Sequence, residues 1–262
     1  MTVNERVALI TGASSGIGYA TALAFAREGT HVVALARRVE RLDALRRAID
    51  ELPSPHGDCL PVAADVRIFD DLQAAVDEAL ATYGRLDVLV ANAGLGHRGS
   101  VVEAEWDDIE TLLRTNMDGV LHSVRAAVPV IRQGGHGGHI VVVSSVVYNM
   151  VSPYAALYAA SKAFASSLSR SLRLELEPDN IQVTDVLVGR TESEFNEKRL
   201  GKAGRTGGGI PVMPTEKVAA DIVKITHQRR RTVTLRWFDR LIVLGNLLLP
   251  DFVGRRAMRQ YK

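Results

Sequence analysis

Six short, mostly apolar runs recur along the chain, at residues 7–10, 31–36, 60–63, 86–91, 139–144 and 181–188. They read as continuous Val, Leu, Ile and Ala rather than as an apolar/polar alternation, so each is a strand covered on both faces. Helix-period stretches separate them, at 16–27, 39–50, 70–83, 106–131 (as two helices), 155–177 and 215–228. Strand, helix, strand in repetition predicts parallel strands joined by right-handed crossovers, and therefore a doubly wound α/β sheet. Pro178 and Asn180 end the helix before the last long strand.

The chain has 262 residues, enough for one large α/β domain with a substantial core. Its 32 Lys and Arg nearly balance 30 Asp and Glu, a formal charge of +2 that gives no push toward nucleic acid. The only cysteine, Cys59, excludes an internal disulfide and suits a reducing compartment; it reads as a small strand-end hydrophobe. The first apolar run begins within a few residues and no basic start precedes it, so no secretory leader is expected and a cytoplasmic location is. The longest apolar stretch, 241–249, is too short to span a bilayer and carries Asn246. His136 and His139, around the turn "GGHGG", lack metal-ligand spacing, and no metal site is expected.

"ALITGASSGIG" runs from the first strand into a Gly-rich turn and a helix. Gly12, Gly16 and Gly18 permit a tight turn, let backbone approach a diphosphate and let the helix pack on the strand. The helix N-terminus behind Ser14, Ser15 and Ile17 favours the anion. An NAD site usually has a carboxylate at the end of the second strand, binding the ribose hydroxyls. Here Ala36 stands in that place, followed by Arg37 and Arg38. Without the anion, and with guanidinium groups able to grip a 2′-phosphate, NADP(H) is expected over NAD(H), with Arg37 the preferred contact.

"LYAASKAF" sets Tyr158 and Lys162 four residues apart on one helix face. A free Tyr titrates near 10, and a neighbouring ammonium lowers that value toward the range where acid/base catalysis is efficient. The glycine spacing resembles the T-G-x-x-x-G-x-G of the short-chain dehydrogenase/reductase family. So do "DV" at Asp65 and Val66, and "ANAG" (Asn92, Ala93 and Gly94, with Ala91 replacing the family's first Asn). Ser145, thirteen positions before Tyr158, matches the family's catalytic Ser, and Asn116 in "RTNMDG" its catalytic Asn. Ser144 has the wrong spacing and is expected to be structural.

The resemblance implies a single-domain Rossmann fold with a mostly parallel seven-stranded sheet and helices on both faces. It also implies an oxidoreductase that interconverts a carbonyl and an alcohol, and a homodimer or homotetramer. In that reading Tyr158 exchanges the proton as hydride moves. Ser145 binds the same oxygen, Lys162 holds the nicotinamide ribose and acidifies Tyr158, and Asn116 anchors a helix kink and a proton-relaying water. A dinucleotide-binding sensor without turnover is the alternative from another class.

The resemblance covers about 6–193 and thins beyond. After the sixth strand "VLVGRTESEF" has Val188 where the family has Pro; Gly189 is kept, Thr191 can contact the nicotinamide carboxamide, and Ser193 falls where the family has Thr. The Gly- and charge-rich stretch 189–214 is expected to be a substrate lid. Val146, Val147, Met150 and Val151 predict a partly hydrophobic substrate, while His97 reads as a solvated loop residue. Residues 236–262 form an apolar helical extension with Trp237, Leu241, Leu244 and Leu248 on one stripe and Arg255, Arg256 and Arg259 after it. It needs cover from the lid, from a second subunit or from a membrane surface, the last making the protein peripheral to the membrane.

Overall fold

The computed structural model describes residues 6–192, 194–202 and 212–259. Strands β1 (Val7–Thr11), β2 (His31–Ala36), β3 (Cys59–Ala63), β4 (Val88–Ala91), β5 (Gly138–Ser145), β6 (Ile181–Val188) and β7 (Thr232–Thr234) form one sheet. Its order is β3-β2-β1-β4-β5-β6-β7 and every neighbouring pair is parallel. The helices between are α1 (Gly16–Arg27), α2 (Val39–Asp50), α3 (Phe69–Tyr83), α4 (Trp106–Leu113), α5 (Gly119–Gln133), α6 (Ala156–Glu175) and α7 (Thr215–Thr226).

Alternate strand residues feed two cores, as the pleat requires. Leu9, Val33, Leu89, Ile140 and Val183 pack under α3, α5 and α6, while Ile10, Val32, Val90, Val141 and Val186 pack under α1, α2 and α7. The sheet reverses its winding at β1 and β4, and in open α/β sheets the crevice at that reversal is where ligands bind.

Two helical regions hold more detail than the sequence pattern carries. The two helices expected over 106–131 are α4 and α5, but they join without a break through Arg114–Asp118, a π-helical segment that carries Asn116. The C-terminal extension is two helices, α8 (Trp237–Leu248) and α9 (Pro250–Met258), broken where Pro250 cannot continue the first. Trp237, Leu241, Leu244 and Leu248 do share a stripe, and it is exposed, Trp237 by 73%. The other side of the pair, through Ile242 and Val253, walls the main cavity. Ser193 and residues 203–211 of the lid stretch, with 1–5 and 260–262, lie outside the described residues.

Candidate active site

The Gly-rich turn closes because glycine alone fits it. Gly12 has φ +71°, and a Cβ on Gly18 would sit 2.3 Å from the Gly12 carbonyl oxygen. Helix α1 starts behind Ser15 with no side chain capping its first amides, which leaves a cradle of N–H donors at the sheet's reversal point. Asn92 locks β4 to this turn: its Nδ2 donates to the Thr11 carbonyl (2.9 Å), and the Asn92 and Ala93 amides donate to Thr11 Oγ1 (3.0 Å each).

Arg38, rather than Arg37, lies on the cradle. Its guanidinium donates to Ser14 Oγ (2.9 Å) and Ser15 Oγ (3.0 Å), whereas the Arg37 side chain is 61% exposed and pairs with Asp65 at 3.9 Å. The reason is direction: successive residues leaving β2 point to opposite sides, and the second of the two faces the turn. Burial alone would raise the Asp65 carboxyl, but the bidentate Arg67 pair holds it below its usual value. Asp65 and Val66 both line the cavity.

At the other end of the same cavity stand Ser145, Tyr158 and Lys162. Asn116 braces them from the π-helical segment, accepting from the Leu95 amide (2.7 Å) and donating to the Leu95 carbonyl and Ser161 Oγ (2.9 Å each). Lys162 Nζ donates to the Val143 carbonyl (2.9 Å) and lies 6.0 Å from the centre of the Tyr158 ring. Burial pushes the Tyr158 phenol up to about 12, with the Ser145 hydrogen bond acting the other way. Burial also drives the Lys162 ammonium down to about 8 against the pull of Asp185. The acidified Tyr expected from its Lys neighbour is therefore not what this geometry produces: burial is the largest influence on the phenol, and the Phe195 ring lies 5.7 Å from it.

The cavity, of about 980 Å³, extends past Val146, Val147 and Met150 to Phe238, Ile242, Phe252 and Val253 of α8 and α9. Val151 turns away from it, against Gly254. His97 is not solvated: it is 2% exposed, lines the cavity, and neither ring nitrogen has a partner among the described residues. The chain just beyond it covers the ring, pairing Leu200 with His97 and carrying Gly201 alongside. Gly189 and Thr191 line the cavity too, Thr191 Oγ1 donating to the Gly189 carbonyl (3.2 Å).

Where the family pattern has Pro, the loop after β6 is held from outside. A Cβ on Gly189 would meet Asp239 Oδ2 at 2.3 Å, and Asp239 accepts from Arg236 Nε at 2.7 Å. Sequence reasoning missed this contact and the α8–α9 wall. An all-round apolar helix signals that it needs cover but not which side receives it.

A doubly wound sheet with a diphosphate-type turn and a Ser, a Tyr and a Lys in one cavity defines a dinucleotide-dependent oxidoreductase site. The short chain dehydrogenase model matches residues 6–203, and the chain belongs to that family. It is 38% identical over 207 residues to a 3-oxoacyl-[acyl-carrier-protein] reductase of Thermotoga maritima, covering 79% of this chain and 82% of that protein. With 11-beta-hydroxysteroid dehydrogenase 1A of Arabidopsis thaliana the identity is 34% over 261 residues, covering 95% and 73%. An alcohol dehydrogenase from the archaeon Thermococcus sibiricus, solved with 5-hydroxy-NADP, superposes with a TM-score of 0.77 at 27% identity, covering 88% and 96%.

Proposed function

We propose that this chain is an NADP(H)-dependent oxidoreductase that interconverts a partly hydrophobic carbonyl compound and its alcohol. The observation that carries the reading is one cavity holding the glycine cradle at one end and Ser145, Tyr158 and Lys162 at the other. The residues present fit the cofactor: α1's first amides are uncapped, and Arg38 with Ser14 and Ser15 forms a cationic, hydroxyl-lined patch suited to a 2′-phosphate. Bound there, the nicotinamide supplies or accepts the hydride.

The chain's own groups do the rest. The Tyr158 phenol, kept protonated by burial, is ready to give its proton to a carbonyl oxygen. Ser145 Oγ donates to the same oxygen as charge develops on it. Lys162 holds the ribose and supports the charge that Tyr158 acquires, while Asn116 keeps the helix wound so that both stay in register. The described residues 194–202 serve as lid: Phe195 packs against Tyr158, and Glu194 reaches Arg38 (3.6 Å) and Arg41 (3.8 Å).

The test is a panel of aldehydes, ketones and alcohols followed by NADPH absorbance. Tyr158→Phe is expected to lose turnover while NADPH binding, measured by calorimetry, stays within about threefold. Turnover retained in that variant overturns the assignment of Tyr158. Binding without turnover on any substrate returns the sensor reading, and tighter binding of NADH than of NADPH returns the NAD reading.

A second reading concerns place. Besides the exposed stripe of α8, Phe252 of α9 is exposed and lines the cavity, and Arg255 and Arg256 of the same helix are exposed. That pattern suits a cytoplasmic protein resting on an anionic lipid surface. A homodimer or homotetramer through α5 and α6 completes the proposal, checked by light scattering.

A further inference from the structure

We propose that Asp185 is the positioning residue of this site, a buried counter-charge that keeps Lys162 protonated and holds α6 in register with β5. The inference rests on the oxidoreductase reading above, because it assigns Asp185 a role through Lys162.

Asp185 sits mid-strand on β6 and is 1% exposed, on the face that α6 covers. A carboxylate there is costly unless it is hydrogen-bonded and paired. Both oxygens are engaged: Ser166 Oγ donates to Oδ2 at 2.5 Å, and Ser144 Oγ donates to Oδ1. Ser166 is one turn beyond Lys162 on α6, and Ser144 precedes Ser145 on β5. The carboxyl thus ties together the strand that carries one reacting side chain and the helix that carries two. It also explains Ser144, whose spacing excludes it from chemistry but whose hydroxyl turns to Asp185.

Among the described residues the charges acting on Asp185 are Lys162 and Arg170, both on α6, while the Arg231 carbonyl just before β7 accepts from the Asp185 amide at 3.1 Å. Burial holds the Asp185 carboxyl above its usual value, although the two serines and the two cations draw it down. In return Asp185 raises Lys162 against its own burial. Among the described residues the Lys162 ammonium hydrogen-bonds the neutral Val143 carbonyl, and Asp185 is the acid whose charge favours it. A neutral Lys162 could not support charge on Tyr158.

The experiment compares pH profiles of kcat for the wild type, Asp185→Asn and Asp185→Thr. Both substitutions remove the charge and keep a polar group for Ser144. The alkaline limb is expected to move down by about one pH unit or more, the size of shift that an opposite charge nearby confers. Turnover at pH 6 is expected to fall much less. A lower thermal midpoint with uniformly reduced kcat and an unmoved limb means a structural role only, and overturns the proposal.

Two NMR titrations keep the proposal testable apart from turnover. The Lys162 side chain is expected to lose its proton at lower pH in Asp185→Asn than in wild type, even if no substrate is found and the oxidoreductase reading fails. If neither variant folds, the wild-type Asp185 carboxyl signal decides. Ionised at pH 7 and responsive to Lys162 deprotonation, it supports the proposal; protonated at pH 7, it overturns it.

Discussion

Burial pushes both Tyr158 and Lys162 toward their neutral forms, up to about 12 for the phenol and down to about 8 for the amine. Carbonyl reduction needs the phenol protonated, so its rate is expected to be flat from about pH 6 to 8 and to fall above that as Lys162 loses its proton. Alcohol oxidation needs the phenolate and is expected to climb with pH over the same range. Rate profiles in the two directions check the contrast. A second titration concerns stability. His139 lies buried in β5 with Nε2 2.8 Å from Thr184 Oγ1, and burial lowers it to about 4. The unfolded chain therefore binds the extra proton first, and stability is lost as pH falls from about 6.5 to 4, by about 3 kcal/mol. Urea titrations at several pH values measure the loss, which is expected to flatten in His139→Asn.

Two junctions between elements decide whether the site exists. At the first, a methyl group on Gly18 has no room against the Gly12 carbonyl or Asn92 Nδ2, 2.7 Å away. Gly18→Ala is expected to push α1 off the turn, cost about 1–3 kcal/mol and weaken NADPH binding more than tenfold. At the second, Asn116→Ala strands the Leu95 N–H and C=O and lets the π-helical turn relax toward α-helix. The expected loss is about 3 kcal/mol, read from thermal unfolding, with kcat falling as the cavity wall moves.

Across the whole molecule, the sheet supplies a rigid platform and the C-terminal helices supply an outward apolar face beside the cavity. No helix among the described residues is long and apolar enough to cross a membrane. Co-sedimentation with vesicles containing phosphatidylserine is expected, and the double change Leu241→Glu and Leu244→Glu is expected to abolish it while activity on a water-soluble substrate persists. Light scattering that shows the same double variant losing a subunit contact would instead identify the face as an interface between copies.

The doubly wound sheet, the glycine turn and the shared face of Tyr158 and Lys162 were legible in the sequence because each depends on local spacing, whereas Ser145 and Asn116 were expected only from the family resemblance. Apolar runs imply covered strands, i, i+4 implies a shared face, and glycines at a strand-to-helix turn imply close backbone. What the chain does at distance was not legible. Arg38 instead of Arg37 on the cradle, His97 buried beside Leu200 and Gly201, Asp239 against Gly189, and Asp185 bonded to Ser144 and Ser166 all arise where segments apart in sequence meet. Desolvation likewise belongs to the assembled cavity. Only tertiary structure decides that burial raises the Tyr158 phenol against its Ser145 hydrogen bond, because the cost of burying charge depends on everything packed around it.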